Sequence, residues 1–83
     1  MAYNNPTSGT GFNVIRGTAT INAGSTSVVV DLPVSLSSYS VEITPTSPIS
    51  VLWWVSNKTS NSFTVNIAST LASNVTFDYL VIY

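Results

Sequence analysis

The chain has 83 residues and only five charged side chains, two basic and three acidic, for a net charge of −1. It contains no cysteine and no histidine, which removes disulfides, thiolate nucleophiles, zinc-type ligand sets and the usual general base near neutral pH. Arg16 and Lys58 are the only basic groups; two cannot form the basic face that a phosphate backbone requires, so no nucleic-acid partner is expected.

A chain of this length makes one domain with a thin core, and small domains without staples often gain stability by oligomerising. Ser, Thr and Asn supply 33 of the 83 residues. A polar but nearly uncharged surface of that kind fits an extracellular or particle-bound protein. No basic segment followed by a long apolar run marks a signal peptide, and the longest apolar run, residues 51–55, is too short to span a bilayer. No membrane insertion is therefore expected; release by lysis needs no signal.

In chain order, residues 1–13 read as a polar arm. Pro6, Gly9 and Gly11 interrupt it, and it is expected to be flexible in the isolated domain, with Tyr3 and Phe12 available to dock on the body or on a neighbour. The rest, residues 14–83, reads as a single domain. Residues 14–22 form the first strand, with Ile15, Gly17, Ala19 and Ile21 on one face and Arg16, Thr18 and Thr20 on the other. The small pair Gly17 and Ala19 leaves room for a large ring, and a tryptophan is the expected filler. Ala23-Gly24-Ser25 is a tight turn. Residues 26–32 form the second strand, ended by Pro33, and Leu36 in the Ser-rich connection is a candidate lid. Residues 39–44 form the third strand, with Tyr39, Val41 and Ile43 inward and Glu42 outward; Pro45 and Pro48 bracket the loop that follows.

Residues 51–68 read as the central hairpin, with arms around the polar run 57–62. Both tryptophans lie on its first arm and point to opposite faces, Trp53 into the core and Trp54 away from it. Residues 69–74 form a loop covered by Leu71. Residues 75–83 form the last strand, with Val75, Phe77, Tyr79, Val81 and Tyr83 on one face and Thr76, Asp78, Leu80 and Ile82 on the other. β-Branched residues dominate and no helical period persists. The fold class is all-β: a six-stranded antiparallel β-sandwich or a small partly closed barrel.

The chemistry needed for catalysis is missing. No serine has a histidine to activate it, and Asp31, Glu42 and Asp78 all fall on outward faces of predicted strands, where carboxylates solubilise or, for Glu42 and Asp78, pair with Arg16 across the sheet. No metal site and no phosphate-binding glycine loop is present, no cofactor is implied, and the chain is not expected to be an enzyme. Asn57-Lys58-Thr59 and Asn74-Val75-Thr76 match the N-glycosylation pattern, a match that arises easily in a chain this rich in Asn and Thr.

Two binding roles can be drawn from the pattern. Leu52, Trp54, Leu80 and Ile82 place apolar side chains on the second faces of two strands, which a half-exposed strand does not need. With Tyr83 they form a candidate oligomer interface. Alternatively Trp54 offers an aromatic platform to a sugar, with Asn57, Asn61, Asn66 and Asp78 as polar partners.

The run Gly17-Thr18-Ala19-Thr20-Ile21 followed by Gly24-Ser25-Thr26-Ser27-Val28 resembles the opening strand pair of small β-domains in bacteriophage structural proteins. Ile43-Thr44-Pro45-Thr46, Trp54-Val55-Ser56-Asn57, Ser62-Phe63-Thr64-Val65 and Val75-Thr76-Phe77-Asp78-Tyr79 resemble the remainder of that pattern, so the likeness covers residues 14–83. Such domains occur in tail-fibre, tail-tip and head-associated proteins, and some resemble the six-stranded sandwich of H-type lectins, which form trimers and bind N-acetylgalactosamine-like sugars. This chain lacks the histidine and further charges often found in the sugar-binding members. The resemblance implies a non-enzymatic virion component, a decoration or minor capsid protein or a tail or spike module. Its implied partners are itself, as a homo-oligomer and by that likeness a trimer, other virion proteins and surface glycans.

Overall fold

The computed structural model describes residues 13–83. Six strands, β1 (Val14–Ile21), β2 (Ser27–Asp31), β3 (Ser40–Pro45), β4 (Trp53–Ser56), β5 (Ser62–Ile67) and β6 (Val75–Ile82), form two three-stranded antiparallel sheets. The orders are β1-β6-β3 and β2-β5-β4. There is no helix among the described residues and the sheets do not close into a barrel, so of the two expected architectures the chain adopts the sandwich. Of the arm expected over residues 1–13, residues 1–12 lie outside the described residues. Asn13 extends the β1–β6 ladder by exchanging both backbone hydrogen bonds with Tyr83, at 2.7 and 3.0 Å.

The central strands are β5 and β6, each flanked on two sides and packed on one, and they carry the most buried residues of any strands. Their inward residues Phe63, Val65, Phe77 and Val81 are fully buried, with Ile21, Ile67, Val75, Ala19 and Val30 around them. Each of the Val, Ile and Phe side chains among them contributes about 1.5–3 kcal/mol of transfer free energy. Phe63 meets Tyr79 edge-on at 5.5 Å across the two layers, a geometry favoured by the ring quadrupoles.

The turn at Gly24 (φ 82°) is closed by a hydrogen bond from Ser25 N to Asn22 O of 3.0 Å. It does not join two paired strands. It carries the chain from one sheet to the other, because β1 pairs with β6 and β2 with β5. β1 accordingly stacks over β2 and β5, and β3 over β4. Leu36 and Leu71 pack against the core from the connections.

Two sequence expectations about rings change. The ring over Gly17 is not a tryptophan but Tyr79, its ladder partner on β6. Trp53 does point inward, with its ring 6.3 Å from that of Phe77, yet it stays 40% exposed rather than entering the core. The physical reason is position: β4 is an edge strand of four residues, so one flank of the ring has no neighbouring strand to cover it.

Tyr39 staples the two layers at one end. It is buried, and its hydroxyl lies 2.8 Å from both Thr59 O and Ser62 O, to which it donates. The Lys58 ammonium donates to Tyr39 O at 2.6 Å and sits 4.8 Å from the Tyr39 ring centroid, a cation–π distance. The start of β3 in one sheet is thereby tied to the β4–β5 loop of the other. Burial raises the Tyr39 phenol above its ordinary value.

Candidate functional sites on the two outer faces

Alternation along the ladders sets which side chains leave the core. On the β2-β5-β4 sheet the outward rungs are Ser27–Asn66–Trp54 and Val29–Thr64–Ser56. Trp54 is 47% exposed, Val29 62% and Leu52, just before β4, 76%. The Asn66 side chain is fixed beside its rung partner Trp54. Its Nδ2 donates to Ser56 Oγ at 2.8 Å, to Trp54 O at 3.3 Å and weakly to Thr64 O at 3.4 Å. The anchoring uses the amide nitrogen and fixes this side chain next to the half-open tryptophan of the same rung.

On the β1-β6-β3 sheet the outward rungs are Val14–Ile82–Ser40, Arg16–Leu80–Glu42 and Thr18–Asp78–Thr44. Leu80 and Ile82 are half-buried and Val14 is exposed. A shallow trough of about 540 Å³ lies on this face, lined by Arg16, Thr18, Glu42, Thr44, Asp78 and Leu80 with the backbone around Gly17 and Tyr79. Three of the five charged side chains of the protein stand here.

The residues expected to act together are therefore divided. Leu52 and Trp54 open on one outer face of the sandwich, and Leu80 and Ile82 on the opposite one. The single patch expected from the sequence does not form, because β4 and β6 belong to different sheets. Tyr83 follows the inward parity of Val81, but it lies past the end of β6 and is left at the rim, 38% exposed. The polar set expected around Trp54 also separates. Asn66 is its rung partner, Asn57 and Asn61 lie in the β4–β5 loop one rung further on, and Asp78 is on the other sheet. Within that loop Asn57 adopts a positive φ of 52°, and Asn61 Oδ1 accepts a hydrogen bond from Thr59 Oγ1 at 3.2 Å.

Two participants went unrecognised in the sequence. Ser56 holds Asn66 in place, and Lys58 holds Tyr39. Ser56 shares the outward parity of Trp54, which was a usable signal; the Lys58–Tyr39 contact joins residues 19 apart through a loop and had none. Among the described residues no group of three His, Cys, Asp or Glu side chains is placed to hold a metal ion, and no helix is long and apolar enough to cross a membrane.

No protein-family model matches this chain, and no curated protein and no solved structure matches it either.

Proposed function

We propose that this protein is a non-enzymatic structural component of a bacteriophage particle, a decoration, minor capsid or tail module, that acts by homo-oligomeric assembly. The observation that supports the reading best is the pair of outer faces. A thin two-layer sandwich has one core between its sheets, and side chains on the outside need only be polar. Here both outsides retain large apolar groups, Leu52, Trp54 and Val29 on one and Val14, Leu80 and Ile82 on the other. Contiguous exposed apolar patches on small soluble domains usually mark interfaces. Two such faces back to back allow one to meet a sister subunit and the other to meet a different virion protein. Sedimentation equilibrium from low to high micromolar concentration tests the assembly. A discrete oligomer is the expected result, and a folded chain that stays monomeric throughout overturns it.

One observation favours a second reading, a carbohydrate or host-receptor module. The Trp54 indole is 47% exposed, and its rung partner Asn66 is held in place by hydrogen bonds from its amide nitrogen to Ser56 Oγ and Trp54 O. Apolar C–H faces of a pyranose stack on indole rings, and a sugar hydroxyl donates naturally to a fixed amide oxygen. A glycan array followed by tryptophan-fluorescence titration into the millimolar range addresses it. Absence of any response there rules this reading out, and loss of a response in both Trp54→Ser and Asn66→Ala supports it.

A further inference from the structure

We propose that the outer face of the β1-β6-β3 sheet docks on the same face of a second copy of the chain, about a two-fold axis running along β6. The inference rests on the assembly reading above and names the face and the symmetry. Its basis is the rung Arg16–Leu80–Glu42. The cation and the anion stand on the two edge strands, about 10 Å apart across the central leucine, at two strand spacings. A rotation of 180° about an axis along β6 exchanges the two edges and keeps the height along the strand. Arg16 then stands over the partner's Glu42, Glu42 over the partner's Arg16, and Leu80 over the partner's Leu80. Face-to-face sheets also lie about 10 Å apart, within reach of these side chains meeting midway. An isologous interface has to be self-complementary, and a rung with opposite charges flanking an apolar centre meets that condition.

The neighbouring rungs constrain the arrangement further. Towards the C-terminus of β6, Ile82 falls on the partner's Ile82 and extends the apolar centre, while Val14 on the edge stands over the partner's Ser40. Towards the N-terminus, the same rotation sets Asp78 opposite the partner's Asp78, between the hydroxyls of Thr18 and Thr44. The axis thus creates two favourable charge pairs and one repulsive pair, and each has its own signature. A two-fold axis across the strands would set Arg16 on the partner's Arg16 and Glu42 on the partner's Glu42, so charge selects the axis along β6.

Sedimentation velocity and native mass spectrometry of the full chain test the proposal, with thermal melts of each variant run alongside. The wild type is expected to reach twice its 8.8 kDa mass. Arg16→Glu alone and Glu42→Arg alone should each raise the dimer dissociation constant at least tenfold, because each homodimer then carries two like-charge contacts. An equimolar mixture of the two variants should recover a dimer containing one of each, since both cross-contacts again join opposite charges. Asp78→Asn should tighten the dimer. Should a charge reversal lower the melting temperature, Arg16→Gln and Glu42→Gln report the same contacts by a smaller loss. A wild type that stays monomeric overturns both this inference and the assembly reading. A trimer, or association that ignores the charge reversals and disappears in Trp54→Ser, overturns this inference while assembly stands.

Discussion

Tyr79 lies across Gly17, its partner in the β1–β6 ladder, so closely that a Cβ built at residue 17 would come within 2.5 Å of Tyr79 Cζ. Glycine is required here by the ring beside it rather than by backbone conformation. The ring in turn covers a stretch of strand that has no side chain of its own, and reaches Phe63 in the opposite sheet. Gly17→Ala should cost about 1–3 kcal/mol, the range for overpacking. In Tyr79→Ala the same alanine should cost much less, because the ring it displaces is gone. Urea unfolding of the two single variants and the double variant measures that coupling.

Phe63 and Phe77 fill the centre of a thin core from opposite layers, and both are fully buried. Truncating either to alanine should cost about 3–5 kcal/mol. A domain of this size has little more stability than that in total. Circular dichroism at 25 °C should show either variant largely unfolded, and a cooperative melt near that of the wild type would contradict the packing described.

Tyr39 carries a pH dependence. Burial raises its phenol above the ordinary value in the folded state, so the folded chain holds this proton where the unfolded chain has lost it. The associated stability is fully present below the unfolded phenol pKa of about 10 and falls as pH rises beyond it. Tyr39→Phe should remove that part of the alkaline loss. It should also cost about 0.5–1.5 kcal/mol at neutral pH through the hydrogen bond to the β4–β5 loop. Chemical denaturation at pH 7 and at alkaline pH separates the two effects.

Asn66 discriminates donors from acceptors. Its Nδ2 faces two backbone carbonyls and the Ser56 hydroxyl. Asn66→Asp should therefore destabilise more than Asn66→Ala, since a carboxylate would stand against the Trp54 and Thr64 carbonyls with no proton to offer. A difference of about 1–3 kcal/mol is expected. Equal midpoints in urea for the two variants would show that the amide nitrogen is not what holds this face together.

The tryptophans report which face is covered in an assembly. Trp53 is 40% and Trp54 47% exposed, so both should emit as solvent-accessible indoles and be quenched by acrylamide. Association through the β1-β6-β3 face leaves that unchanged as concentration rises. Association through the Trp54 face shifts the emission to the blue and lowers the quenching.

Residue order alone determined a good deal about this protein. The alternation of apolar and polar residues marked all six strands to within a few residues, because a side-chain period of two is a local property of extended chain. The same alternation told Trp53 from Trp54, and placed Val81 inward and Leu80 outward. Composition limited the chemistry, since groups that are absent cannot be supplied by folding. Which strands share a sheet was decided only by the tertiary structure. Pairing β1 with β6 joins residues more than 50 positions apart, and the pattern within a strand carries no label for its neighbour. That pairing separates Trp54 from Leu80 and turns one expected patch into two opposite faces. It brings Arg16, Leu80 and Glu42 into a single rung, lays Tyr79 on Gly17, and leaves Trp53 at an edge where no fourth strand closes over it.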